Sequence, residues 1–337
     1  MSEIAAERKH TASFSFRALG RALETGGPLI ALVLLMIVGS LMSDRFLTAD
    51  NLSNVLTRSA IIGIIAVGAT FVITAGGLDL SVGSLSALVA GLAILFMNNL
   101  TAAFGTGWEI VAAGILFSVF IGAAAGFLNG AMIVKGRVEA FIVTLGTMGI
   151  FRSLVTWLAD GGSISLDFSL RDVARPIYYG QLGGITVPIL VLLAIVVVGE
   201  IVLRRVRFGR HVAAIGSNRH VAVYSAIPVD RVRILTYVIQ GVCVAIASAI
   251  YVPRLGTVTP STGLMWELEA IAAVIIGGTA LGGGFGRIWG TIAGVLILGF
   301  ISNILNLTGI VSPYLNGAFQ GAIIIIAVLV QRDRSRG

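Results

Sequence analysis

The chain has 337 residues, 57% of them hydrophobic and 12% charged, with a mean hydropathy of +0.99 and a net charge of +7. That balance excludes a soluble globular protein. The positive charge comes from arginines in loops beside apolar runs, which membrane topology explains better than nucleic-acid binding does.

Taken in order, the polar stretch 1–27 lacks the short charged lead and small-residue cleavage site of a signal peptide, so the first span is expected to remain in the mature protein. At roughly 20 apolar residues per crossing, the chain reads as an all-α polytopic membrane protein with about ten transmembrane helices. The first five spans are Pro28–Ser43, Ser59–Ala75, Ser81–Met97, Glu109–Val134 and Ala140–Leu158. A polar stretch, 44–58, separates the first two, and only Gly76-Gly77-Leu78-Asp79-Leu80 separates the second from the third. The polar segment Asp160–Gly183 leads to span six, Gly184–Leu203. A basic loop, 204–233, follows, and then span seven, Ile234–Val252. Beyond the polar connection Pro253–Trp266, span eight, Glu267–Ala280, is expected to be short and partly re-entrant. Ile288–Leu305 and Asn316–Val330 complete the set. The membrane domain is thus 28–331, between tails 1–27 and 332–337.

Orientation follows from charge. With the N-terminus inside, Lys135, Arg137, the 204–233 loop, Arg287 and the Arg332/Arg334/Arg336 tail all fall in the cytoplasm, as the positive-inside rule requires. Both termini are then cytoplasmic. Trp108, Tyr178, Tyr179, Tyr251, Trp266 and Tyr314 gather near the outer interface. The 204–233 loop holds seven arginines, two histidines and one acid, Asp230. Its stretch His211–Ala226 reads as a short helix of small residues interrupted at Gly216-Ser217-Asn218. Such a loop either docks a cytoplasmic partner or only orients the protein.

Two junctions look alike. ITAGGLDLSVGSLSALVAG follows span two and IIGGTALGGGFGRIWGTIAG follows span eight, each an apolar helix ending in a Gly-Gly pair before a new helix. Internal duplication of a transporter and plain glycine turns both produce this pattern. Asp79 is the most unusual charge, because an acid near bilayer depth is costly unless paired or wet. It is a functional candidate or, with Ser81, a cap on span three. Asn129, Thr144, Thr147, Arg152, Gln240, Asn303 and Gln320 are polar groups within spans, suited to interhelical hydrogen bonds. Glu267 and Glu269 stand at the outer mouth of a path or serve as first-turn acids. The three histidines lack metal-ligand spacing, and no metal site is expected. Neither of the two lysines, Lys9 and Lys135, stands in a P-loop, so the chain carries no ATPase of its own.

Several long motifs together carry a resemblance. TAGGLDLSVGSLSAL, EAFIVTLGTMGIFRSL, GRHVAAIGSNRHVAVYSAIPVDRVR and ELEAIAAVIIGGTALGGGFGRIWGTIAG resemble the permease subunits of bacterial ABC importers for ribose, xylose, galactose and related monosaccharides, from about Asn51 to Val330. The resemblance implies the ABC importer permease fold in the inner membrane. It also implies a second permease chain, the same or related, cytoplasmic ABC ATPase subunits and a periplasmic sugar-binding protein. The chain itself would hold no cofactor, with ATP and Mg on the ATPase. Its partners would be these proteins and the lipid bilayer, without nucleic acid. The segment matching Gly209–Val232 would supply the coupling helix, with Gly209, Arg210, Ala213, Gly216, Asn218, Ala222 and Ile227 fitting the pattern. Ser217 stands where a second glycine is usual, and Tyr224-Ser225-Ala226 where Leu-Ser-Gly is typical. Asp79, Ser81, Asn129, Thr144, Asn303 and Gln320 are the residues expected nearest the path or its hinges. The rival reading is a secondary transporter driven by an ion gradient, for which Asp79 alone offers a site.

Overall fold

The computed structural model describes residues 26–309 together with Leu315, Gly317, Ala318, Gly321 and Ala322. In chain order these form α1 (Gly26–Met42), α2 (Ala49–Thr74), α3 (Val82–Phe104), α4 (Trp108–Lys135) and α5 (Ala140–Leu158). Then come β1 (Ile164–Ser165), α6 (Phe168–Ala174), α7 (Pro176–Tyr179), β2 (Gln181–Leu182), β3 (Ile185–Thr186) and α8 (Val187–Arg204). The last third holds α9 (Arg207–Ser217), α10 (Arg219–Tyr224), α11 (Val229–Leu255), β4 (Thr257–Val258), α12 (Trp266–Ile276) and α13 (Ile288–Thr308).

Among the described residues, seven helices are long and apolar enough to cross a membrane: α2, α3, α4, α5, α8, α11 and α13. They correspond to spans two to seven and nine. Span one is the shorter α1. Span eight is α12, whose 11 residues rise about 16 Å, half of a hydrocarbon core about 30 Å thick. Span ten and Gln320 lie outside the described residues.

Among the described residues, two short antiparallel strand pairs accompany the helices, one joining distant segments and one a hairpin. β1 pairs antiparallel with β4, Ile164 opposite Val258, and β2 pairs with β3. The strands use β-branched Ile164, Ile185, Thr186, Thr257 and Val258. Gly183 and Gly184, with φ of 59° and 80°, form the two-residue turn that right-twisted hairpins favour.

α2 is the axis of the bundle. It is buried from Ser59 to Thr74 except at Ile62, and packs against α8, α11, α12 and α13. Buried hydroxyl pairs tie it to neighbours at two levels: Thr57 to Thr186 at 2.7 Å and Thr70 to Thr291 at 2.9 Å. α4 and α11 form the most extensive pair. Gly122, Gly126 and Gly130 recur at four-residue spacing along α4, and a Cβ on any of them would overlap the α11 backbone at Gly241, Tyr237 or Ile234. Small residues at that spacing let two backbones touch, the favoured way to associate helices in lipid.

Candidate functional site

The basic loop folds into α9 and α10, meeting at Asn218. The expected helix over 211–226 therefore starts earlier, at Arg207, and divides where Asn218 adopts an extended backbone and its Oδ1 accepts from Val221 N at 3.1 Å, capping α10. Gly209 is buried against the end of α8, where a Cβ would overlap Leu203 O. Arg210 is exposed and donates to Arg205 O at 3.4 Å, while Ala213 is half-buried. Ala222 is buried, with half-buried Ile227 beside it, in a small cluster with Ala75, Val212, Ile215, Val229 and Val232. That cluster fixes the loop to the ends of α2 and α11. It leaves Val221, Val223 and Tyr224 exposed at 58%, 56% and 91%. Ala226, standing where glycine is typical, has a φ of 56°.

Gly216 makes the contact of most consequence. A Cβ there would overlap Thr74 O and Gly284 N, and Gly284 N donates to Thr74 O at 2.9 Å. A Cβ on Gly283 would lie 3.0 Å from the Cα atoms of both Gly216 and Gly76. Three backbones therefore meet without side chains between them: the α2–α3 junction at Gly76, the end of α9 at Gly216, and the α12–α13 junction at Gly283-Gly284. These junctions are the two whose sequences look alike. Motif matching found Gly216 but missed Gly76, Gly283 and Gly284 as its partners; the repeated Gly-Gly pairs were the signal available.

The expected path residues do not form one group. Asp79, Ser81 and Asn129 do come together. Asp79 Oδ1 accepts from Ser81 N at 2.9 Å and Ser81 Oγ at 2.6 Å, and Asn129 Nδ2 donates to Ser81 Oγ at 2.9 Å. All three are buried. Ser81 precedes α3 but makes no side-chain cap, which corrects the capping expectation. Its backbone is already helical (φ −83°, ψ −10°), whereas a side-chain cap needs an extended N-cap residue. Its hydroxyl is engaged by Asp79 and Asn129 instead. Nearby, Tyr237 Oη donates to Leu78 O at 3.2 Å. The acid is thus held by local donors at the α2–α3 junction.

Asn303 lies elsewhere. It exchanges two amide hydrogen bonds with Asn51 of α2, at 3.0 and 2.8 Å. Thr144 is buried and donates to Ala140 O on its own helix. Thr147 donates in turn to Thr144 O at 3.3 Å. Gln240 Nε2 donates to Ile65 O at 3.4 Å. Arg152 Nη1 donates to Pro260 O and, at 2.7 Å, to Thr262 O, holding the strap between β4 and α12 against α5. Among the described residues, no group of three or more His, Cys, Asp or Glu side chains could hold a metal ion.

Comparison with known proteins matches residues 51–328 to a family described as "Branched-chain amino acid transport system / permease component". The chain is 40% identical over 316 residues to the ribose import permease protein of Bacillus subtilis (strain 168), covering 92% of this chain and 93% of the relative. It is 34% identical over 306 residues to the D-allose transport system permease protein of Escherichia coli (strain K12), covering 90% of each. It is 33% identical over 324 residues to the L-arabinose transport system permease protein of the same organism, covering 96% of this chain and 94% of the relative.

Proposed function

Because this chain belongs to the permease-component family just described, alongside sugar-importer permeases, we propose that it carries a monosaccharide or related polyol inward across the bacterial inner membrane. It is the non-enzymatic, multi-pass subunit of an ATP-binding cassette importer. Two permease chains, identical or related, enclose the path. A cytoplasmic ABC ATPase supplies the energy, and a periplasmic binding protein delivers the solute. The basic loop, both tails and Arg287 face the cytoplasm, and α1 and α12 add to the seven long spans toward a total of about ten.

The glycine node carries this reading. An ATPase pressing on exposed α10 would shift α9. Through Gly216 that shift reaches two non-helical junctions between apolar helices, 75–81 and 277–287. Rocking about these breaks would open the bundle to one side and then the other. A neutral solute suits such a path, because it needs dispersed hydrogen bonds and no tight ionic site. The test is reconstitution of the assembled complex in proteoliposomes, with D-ribose, D-allose and L-arabinose offered in turn. Uptake of at least one should require ATP and the binding protein. Uphill accumulation without nucleotide hydrolysis, abolished by a protonophore, would overturn the proposal in favour of an ion-driven carrier.

A further inference from the structure

Between α2, α12 and α13 lies an open cavity of about 340 Å3. That is within the range of small-molecule sites, roughly 300–1,000 Å3. Its polar lining comes from Arg58 and Ser59 of α2, Glu269 of α12, and Ser302, Asn303 and Asn306 of α13. Arg58 precedes Thr74 by 16 residues and Asn303 follows Ile288 by 15. At ~1.5 Å per residue, they stand about 24 and 22 Å from the helix ends that meet near the glycine node. In a hydrocarbon core about 30 Å thick, both therefore belong to the half opposite that node.

Arg58 and Asn306 are exposed on the isolated chain. A guanidinium on a membrane helix does not rest against acyl chains, because such charges face water or protein. Near the outer edge of that core, Arg58 reaches water, headgroups or protein. The cavity's chemistry is that of hydroxyl recognition: a guanidinium only donates, a carboxylate only accepts, and amides and hydroxyls do both. A sugar hydroxyl, itself donor and acceptor, can be satisfied at each of these positions. Arg58 and Glu269 cancel in charge, so the cavity favours a neutral solute over an ion. Val295 and Leu298 give it an apolar wall for the C–H face of a ring.

We propose that this cavity is an outer binding station for a neutral polyol, engaged by Arg58, Glu269, Asn303 and Asn306 before the solute passes inward. The proposal rests on the transport reading above and assigns Glu269 to the path. Asn303 also belongs to the amide pair with Asn51, so binding at Asn303 is linked to the packing of α2 on α13.

The assembled transporter in proteoliposomes tests it, with D-ribose, D-allose and L-arabinose as probes. Asn306→Leu keeps volume but removes both hydrogen-bonding atoms. It should raise the half-saturating concentration for uptake by about tenfold while lowering the maximal rate much less, as expected for one or two lost hydrogen bonds. Ser302→Cys provides a second readout independent of that variant's folding. Cys243, the chain's own cysteine, is buried, so a membrane-impermeant thiosulfonate added from outside should label position 302 selectively on this chain. A transported sugar should slow that labelling severalfold. Labelling unaffected by sugar, an unchanged half-saturation in Asn306→Leu, or a position 302 never reached from outside would overturn the station, even if wild type imports sugar with ATP. Absence of ATP-dependent uptake by wild type would overturn both the station and the transport reading.

Discussion

The sharpest consequence of the glycine node concerns Gly216→Ala. A single methyl at this position meets Thr74 O and Gly284 N, both backbone atoms that cannot swing aside as a flexible side chain would. Either α9 withdraws from the node, or the Gly284–Thr74 hydrogen bond of 2.9 Å opens. Overpacking of this kind costs about 1–3 kcal/mol, and loss of a hydrogen bond about 0.5–1.5 kcal/mol. These are alternative responses, so the expected local penalty is about 1–3 kcal/mol, equivalent to a roughly 5- to 150-fold fall in the population with α9 seated. Membrane insertion should survive, because no apolar span is altered. In proteoliposomes, sugar uptake and substrate-stimulated ATP hydrolysis should fall together, and Gly216→Trp should abolish both. Normal uptake by the tryptophan variant would refute the reasoning.

Other expectations follow from the same geometry. Asn51→Leu deprives Asn303 of its amide partner and should lower the thermal midpoint by an amount equivalent to about 1 kcal/mol; Asn51→Leu combined with Asn303→Leu should cost less than the two single changes summed, as a double-mutant cycle would read. Ala226→Gly relieves a side chain held at positive φ and should stabilise the loop by about 1 kcal/mol, seen as a higher unfolding temperature with uptake retained. Asp167 caps α6, and hydrogen bonds from Ser169 Oγ and N, at 2.5 and 2.8 Å, hold its carboxyl below the ordinary aspartate value. Its folded value is depressed, so that stabilisation is complete above the ordinary range and is lost as pH falls through the folded value. Amide exchange in α6 should therefore quicken in acid, and Ser169→Ala should move the onset to higher pH.

The spans were legible because roughly 20 apolar residues in a row have few other uses. Their edges were less so. The stretch 44–58 looks like a polar loop, yet α2 begins at Ala49, ten residues before the expected Ser59. Its polar residues serve helix contacts: Asn51 pairs with Asn303 and Thr57 with Thr186. Likewise α11 starts at Val229, with Asp230, Arg231 and Arg233 on its first turns rather than in the loop. Polarity alone cannot separate a loop from a helix whose partner lies over two hundred residues away, as Asn303 lies from Asn51. The alikeness of the two glycine junctions was visible in the chain, but not that they converge on α9, because backbone-to-backbone contact leaves no side-chain pattern to read. Asp79 was legible as unusual and misread in detail, since its donors come from Ser81 and not from the first turn of α3.

The seam of α4 and α11 constrains how this molecule can change shape. Where side chains interdigitate, two helices can slide by a notch and find new rotamers. Gly122, Gly126 and Gly130 offer no rotamers to change, and the α11 backbone already fills the space beside them. The two rods are clamped along this seam, so a change of shape is expected to carry them together. Bending must therefore be borne by the unwound stretches beside them.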